Sequence, residues 1–233
     1  MRLYIIRHAD PDYENNTITP AGHHEAKALA RRMSGYGLDL IYSSPLPRAN
    51  ITAQYTADLV KIEPIVEDWL IEIPGWEIDE IENGAPAWDI PGEIFREKQP
   101  YATHETWQQL PYLGEERFSS YWEQFKRNSD NFIERHGYKR EGGRYRQVEP
   151  NRKQIAIYCH NGTALAWLAH LLEIPLPMVW GSFWHAPSAV TTILFEERSD
   201  MWAVPRALSV GDVSHLYEAR LPIQPRGMRG NYY

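Results

Sequence analysis

Two arginines, two histidines and a glutamate each fall at or just past the end of an apolar run. Arg7-His8 follows Leu3–Ile6, Arg48 follows "LDLIYSS" (38–44), Glu72 lies in the exit of "PIVEDWLIEI" (64–73), and His160 follows "IAIYC" (155–159). Together these residue types describe a phosphoryl site. Arginine grips phosphate oxygens with a planar fork. One histidine can attack phosphorus, and a second, when protonated, can stabilise the group in transit. A carboxylate of raised pKa can protonate the leaving oxygen. Asn161, beside His160, adds a further side chain able to hydrogen-bond phosphate. Glu67, Asp68 and Glu77 compete with Glu72 for the proton-donor role. Each residue taken singly has a plainer reading: a surface histidine at a strand end, a helix-surface arginine, a satisfied core histidine. Their shared position after successive strands makes the set worth reading together.

The elements that must position them alternate between strand and helix. The apolar runs at 3–6, 38–44, 64–73, 155–159, 189–196 and 201–205 read as strands. Thr19-Pro20 and Ser44-Pro45 each pair a capping hydroxyl with a proline suited to the first helical position. The helices they open run through Met33, ended by Gly35 and Gly37, and through Leu59; another is expected from about Thr163 to Leu172. This order predicts a three-layer α/β/α sandwich with a mainly parallel central sheet, and such sheets bind ligands at the carboxyl ends of their strands. The four strand exits would then share one pocket.

Between Trp76 and Pro150 the sequence changes character and is rich in aromatics. A stripe of Phe118, Trp122, Phe125, Phe132 and Ile133 predicts one helix, and "YKREGGRYRQV" a charged hairpin or loop. The expectation is a single domain, 1–233, with 76–150 inserted as a cap and an irregular tail at 223–233. The run 76–89 holds five acidic residues and no basic one, which reads as a solvated loop or as an acidic lip to the pocket.

The chain has 233 residues and a net charge of -7, which argues against a nucleic-acid-binding face but not against a small anion in a locally basic pocket. Its one cysteine, Cys159, allows no internal disulfide, no segment approaches a membrane span, and the N-terminal apolar run is too short for a signal peptide. The expected setting is the cytoplasm, with no membrane partner. His23-His24 are helix neighbours that point apart, so an exposed face rather than a metal pair is expected, and Cys159 and His185 are expected to be structural.

These blocks resemble the histidine phosphatase superfamily, the phosphoglycerate mutase-like family. Arg7-His8-Ala9 stands for its opening Arg-His-Gly, and Thr19-Pro20-Ala21-Gly22 for its Thr-Pro-x-Gly. "SSPLPRANITA" (43–53) stands for its Ser-Ser-Pro-Leu-x-Arg-Ala-x-x-Thr-Ala, Leu70 and Glu72 for its Leu-x-Glu, and His160-Asn161-Gly162 for its second histidine block. "PSAVT" (187–191) and "GDVSHL" (211–216) also match. The resemblance implies that His8 becomes a phosphohistidine. It implies that Arg7, Arg48 and His160 hold the phosphoryl oxygens, and that Glu72 gives a proton to the leaving group and then activates water. It implies no metal and no other cofactor, and a small phosphorylated substrate. The chain departs from the family at Ala9, in the short stretch from His8 to Thr19, and at Asp10 and Asp12, where a phosphate would favour neutral or basic groups. The expected activity is hydrolysis of a small phosphomonoester. A phosphoglycerate-type mutase and a non-catalytic phospho-ligand or protein-binding module on the same fold are the alternatives.

Overall fold

The computed structural model describes residues 1–81, 84–228 and 230–232. Glu82 of the acidic run, and Arg229 and Tyr233 of the tail, lie outside the described residues.

In chain order the elements are β1 (Arg2–Arg7), β2 (Pro11–Asp12), β3 (Thr17–Ile18), α1 (Pro20–Ser34), β4 (Leu40–Ser43), α2 (Pro47–Val60) and β5 (Ile65–Val66). There follow β6 (Glu77–Ile78), β7 (Ala85–Pro86), α3 (Gly92–Arg96), α4 (Glu116–Arg135), β8 (Tyr138–Glu141), β9 (Arg144–Gln147) and β10 (Gln154–Cys159). The chain continues through α5 (Asn161–Leu172), α6 (Leu176–Trp180), β11 (Val190–Glu197), β12 (Trp202–Asp212) and α7 (Ser214–Glu218).

One eight-stranded sheet, in the order β5-β4-β10-β1-β11-β12-β9-β8, carries helices on both faces. The half β5-β4-β10-β1 is parallel. The half from β11 onward is antiparallel, because β11 and β12 are joined by a turn too short for a parallel crossover. Side chains of the central strands alternate between two buried cores. Leu3, Ile5, Ile155 and Ile157 face α4 and α5, while Tyr4, Ile6, Ala156 and Tyr158 face α1 and α2. Strands buried on both sides must be apolar throughout, which is why their runs stand out in the sequence.

Three sequence expectations shift. The second helix does not start at Ser44-Pro45. Leu46 precedes Pro47 and so is pushed into an extended conformation, φ -70° and ψ 131°, which delays α2 to Pro47. The strand expected within 64–73 shrinks to Ile65–Val66. It is an exposed edge strand, and one 3₁₀ turn at Asp68–Leu70 then redirects the chain toward Glu72. The last strand extends well beyond 201–205, with register shifts opposite Val190–Ile193.

The aromatic region 76–150 divides into three parts. The hairpin β8–β9 pairs with β12 and extends the main sheet. Helix α4 lies on the sheet with Phe118, Trp122, Phe125, Phe132 and Ile133 all buried, Phe132 meeting Tyr42 of β4 edge-on at 4.9 Å. Rings buried in this way stabilise the fold by roughly 1.5–3 kcal/mol each. The remaining stretch, through the ribbon β6–β7 and α3, packs Trp76, Ile90 and Phe95 into the same core and brings Trp88 against the start of α5.

Candidate active site

The carboxyl ends of β1, β10 and β4 lie side by side, and main-chain bonds carry the ladder one residue beyond the strands. His8 N–H donates to Cys159 O at 2.9 Å, and Ser44 N–H donates to Tyr158 O at 2.8 Å. The sheet therefore delivers Arg7-His8, His160 and Ser44 to one edge. The His8 and His160 rings stand 5.1 Å apart between centroids.

His8 is 1% exposed, and its Nδ1 lies 2.7 Å from the carbonyl oxygen of Ala9. A carbonyl only accepts, so Nδ1 carries the proton and Nε2 keeps its lone pair. Burial, followed by the Arg7 charge, holds the ring well below the usual histidine range, so it is neutral and nucleophilic at neutral pH. Ala9 N–H donates to Thr52 Oγ1 at 3.0 Å, and that hydroxyl donates to Arg48 O at 2.7 Å. The threonine of "SSPLPRANITA" thus ties α2 to the nucleophile's backbone.

His160 caps α5, and its Nε2 lies 2.9 Å from Ser44 Oγ. The Ser44 oxygen already accepts from Leu46 N–H at 3.2 Å, so its own proton is available to His160 Nε2. That pairing leaves the ring's Nδ1–H buried without a partner among the described residues, as are Nε of Arg7 and Nε of Arg48. Three buried N–H groups in one cluster can donate together to the oxygens of an anion. Burial first, then the nearby His8 and arginine charges, keeps His160 well below the usual histidine range.

Arg7 is held from behind, Nη1 donating to His185 O at 2.6 Å and to Arg226 O at 3.1 Å. The ring of His185 is buried against Thr191 Oγ1 and is pushed down to about 3 by burial. Ser188 N–H donates to His8 O at 3.0 Å, and Ser188 Oγ meets His215 Nε2 at 3.0 Å. The blocks 187–191 and 211–216 therefore brace Arg-His rather than meet a ligand. Asn161 lies beside the cluster; its Oδ1 accepts from His185 N–H at 3.3 Å.

Glu72 reaches the amino end of α5. Its carboxylate accepts from Thr163 N–H at 3.1 Å and Gly162 N–H at 3.3 Å. A Cβ on Gly162 would stand 2.7 Å from the Trp88 ring and 2.8 Å from Glu72 Oε1, so only glycine admits both. Burial pushes the Glu72 carboxyl up, against the opposing pull of Arg7 and those N–H donors. Its competitors lie elsewhere: Glu67 pairs with Arg135 at 2.7 Å, and Asp68 and Glu77 are exposed.

The two aspartates have separate roles. Asp12 holds exposed Asn15 through its backbone N–H at 3.1 Å and its side chain at 2.8 Å. Asp10 is buried, accepts from the Thr19 hydroxyl at 2.7 Å, and pairs with Arg226 Nε at 2.6 Å. A Cβ on Gly22 would meet Asp10 O at 2.5 Å, which explains the glycine of "TPAG". The expected irregular tail thus clips onto the first loop and presents its Arg226 carbonyl to Arg7. Sequence reasoning passed over Arg226, and also Tyr13, whose ring underlies Arg48 at 5.4 Å and whose hydroxyl interacts with Arg7. His23 bonds Tyr55 on an exposed helix face, and Cys159 is buried in the core.

Arg226→Ala is expected to raise KM for phosphate esters roughly 3- to 10-fold with a smaller effect on kcat, because a buried carboxylate loses its cation and Arg7 loses a carbonyl anchor. Arg226→Lys should recover part of the loss. Steady-state kinetics on the two variants is the check, and an unchanged KM in Arg226→Ala would remove the tail from the site.

Among the described residues, no helix is long and apolar enough to cross a membrane. Compared with known proteins, the chain is 25% identical over 217 residues to phosphoserine phosphatase 1 of Hydrogenobacter thermophilus, spanning 86% of this chain and 90% of that protein. Its fold is similar to the crystal structure of a phosphoserine phosphatase mutant from Entamoeba histolytica in complex with phosphoserine, with TM-score 0.62 and 23% identity over 92% of this chain and 98% of that one. A mycobacterial glucosyl-3-phosphoglycerate phosphatase gives TM-score 0.59 at 20% identity, covering 89% and 97% of the two chains. Residues 3–205 match the histidine phosphatase superfamily (branch 1), and the chain belongs to that family.

Proposed function

We propose that the protein hydrolyses a small phosphomonoester, without a metal ion, through a phosphohistidine on His8. The observation that carries this is the His8 Nδ1–H bond to Ala9 O, which leaves a neutral, buried Nε2 free to attack. Nε2 attacks phosphorus in line, and the bond from phosphorus to the ester oxygen breaks. Arg7, Arg48 and His160 Nδ1–H take the charge on the equatorial oxygens. The leaving alkoxide takes the proton of Glu72. The resulting carboxylate then removes a proton from water, which attacks phosphohistidine, frees phosphate and restores His8. The dianionic substrate supplies the negative charge that Arg7 and Arg48 are placed to bind.

Small phosphorylated metabolites are the partners that support this chemistry, as the names of the relatives do. The net charge of -7 disfavours nucleic acid. We also infer a reducing, cytoplasmic setting from the single buried Cys159.

The test is to quench the enzyme in alkali during turnover, where a phosphohistidine survives, and to map the phosphoryl group by peptide mass spectrometry. Label on the His8 peptide supports the scheme. Label elsewhere, or isomerisation of a phosphoglycerate that depends on a bisphosphate, would replace hydrolysis through His8 by another reaction.

A further inference from the structure

The short stretch between His8 and Thr19 folds as the hairpin β2–β3, with Pro11 paired to Ile18 and Asp12 to Thr17. Ile18 roots it in a small core with Ala9 and Ala26, against Ile51 and Tyr55 of α2, the helix that carries Arg48. At the tip the Asp12 carboxylate accepts from Asn15 N–H at 3.1 Å and from the Asn15 side-chain amide at 2.8 Å, which closes the turn. Asn16 takes the left-handed conformation, φ 52°, that an asparagine tolerates. Tyr13 is the first residue of that turn. It is 63% exposed, yet Arg48 lies over its ring at 5.4 Å and its hydroxyl interacts with Arg7, which is buried. Among the groups that counter the lowering of both arginines by burial, Tyr13 comes first for each. One exposed side chain therefore bridges the two cations of the phosphoryl site.

Resting on the phosphatase reading above, we propose that Tyr13 is a further substrate-binding residue, whose hydroxyl donates a hydrogen bond to a phosphoryl oxygen held by Arg7 and Arg48. An arginine only donates, so the Tyr13 oxygen accepts from Arg7 and its O–H remains for an acceptor. A phosphoryl oxygen gripped by the same two arginines is the acceptor that the reaction brings there. The ring, stacked with Arg48, holds guanidinium and hydroxyl in one arrangement. Asp12 is then a positioning residue: it shapes the turn that presents Tyr13.

The test titrates inorganic phosphate by calorimetry and measures kcat/KM on 4-nitrophenyl phosphate. Tyr13→Phe keeps the ring and removes the hydroxyl. It is expected to weaken phosphate binding about 10-fold and to lower kcat/KM to a similar extent, the scale of a hydrogen bond to a charged group. Tyr13→Ala, which also loses the contact with Arg48, should cost roughly 3-fold more. The side chain is exposed, so neither variant opens a hole in the core. Asp12→Ala should show part of the Tyr13→Phe loss and add nothing to it in the double variant, the mark of a residue that acts through Tyr13. Wild-type phosphate affinity in Tyr13→Phe, with or without a loss in Tyr13→Ala, would overturn the hydroxyl contact and leave the phosphatase intact. Full additivity of Asp12→Ala and Tyr13→Phe would overturn the part given to Asp12. No turnover by the wild type, with no label on His8, would instead overturn the phosphatase itself, and the phosphate titration, which needs no turnover, would still decide Tyr13.

Discussion

His8→Ala is expected to lose hydrolysis of every phosphomonoester by roughly 10⁴-fold or more, the scale on which removal of a covalent nucleophile acts. The ring is 1% exposed, and its bond to Ala9 O fixes which nitrogen attacks. With the ring gone, the small void left behind offers no group to carry phosphorus. Arg7, Arg48 and His160 remain, so the variant should still bind inorganic phosphate or vanadate; retained binding, measured by calorimetry, separates a lost nucleophile from a lost fold. The wild-type pH profile adds a second check with a definite sign. Because His8 is held well below the usual histidine value, it stays unprotonated through neutral pH, and its contribution to activity falls only as acid protonates the ring at its lowered pKa. The substrate's own second ionisation, about 6, contributes an acid limb of its own; substantial turnover by His8→Ala would exclude His8 as the nucleophile.

The site was legible where chemistry coincides with the ends of buried strands. β1 from Leu3 to Ile6 and β10 from Ile155 to Cys159 are apolar throughout because both faces are covered, and each run is followed by charged or titratable residues: Arg7-His8 and His160. The helix starts were readable from Thr19-Pro20, yet misplaced at Ser44-Pro45. The second proline, Pro47, controls Leu46, and a local cap rule does not see that. β5 was over-read because an edge strand exposed on both residues carries an apolar run no longer than its pairing. The stretch 138–148 read as a hairpin or a loop; that it is a hairpin joined to the main sheet depends on a pairing with β12 some sixty residues further on, which no local pattern encodes. Arg226 and Trp88 escaped for the same reason. Their roles come from packing against Asp10 and Gly162, contacts that span 216 and over 70 residues of chain. Asp10 shows the converse. Its charge looked out of place beside a phosphate site, and the structure accounts for it through a cation supplied from the other end of the chain.

Glu72→Gln is expected to reduce kcat/KM on alkyl phosphates by about 10²- to 10⁴-fold, the range for loss of a positioned general acid. Glutamine keeps the size and can still accept the Thr163 and Gly162 N–H bonds, so the pocket is preserved while the transferable proton is removed. Three readouts tie the loss to proton donation. First, wild-type kcat/KM should fall as pH rises through the elevated Glu72 pKa, since the acid must be protonated, and this alkaline limb should vanish in Glu72→Gln. Second, 4-nitrophenyl phosphate, whose leaving group needs no proton, should still phosphorylate His8 in the variant. Hydrolysis of the intermediate would lack its base, so a stoichiometric burst of nitrophenol should precede a slow steady state. Third, stability should shift with a sign fixed by linkage. A carboxyl raised in the folded state contributes most when protonated, below its unfolded value near 4.5, and that contribution is lost as pH rises through the folded pKa. Glu72→Gln, neutral throughout, should therefore gain thermal stability over wild type on the alkaline side and match it in acid. Equal losses on alkyl and nitrophenyl esters, with no burst, would move the proton donor to another group and leave Glu72 as a clamp on the start of α5.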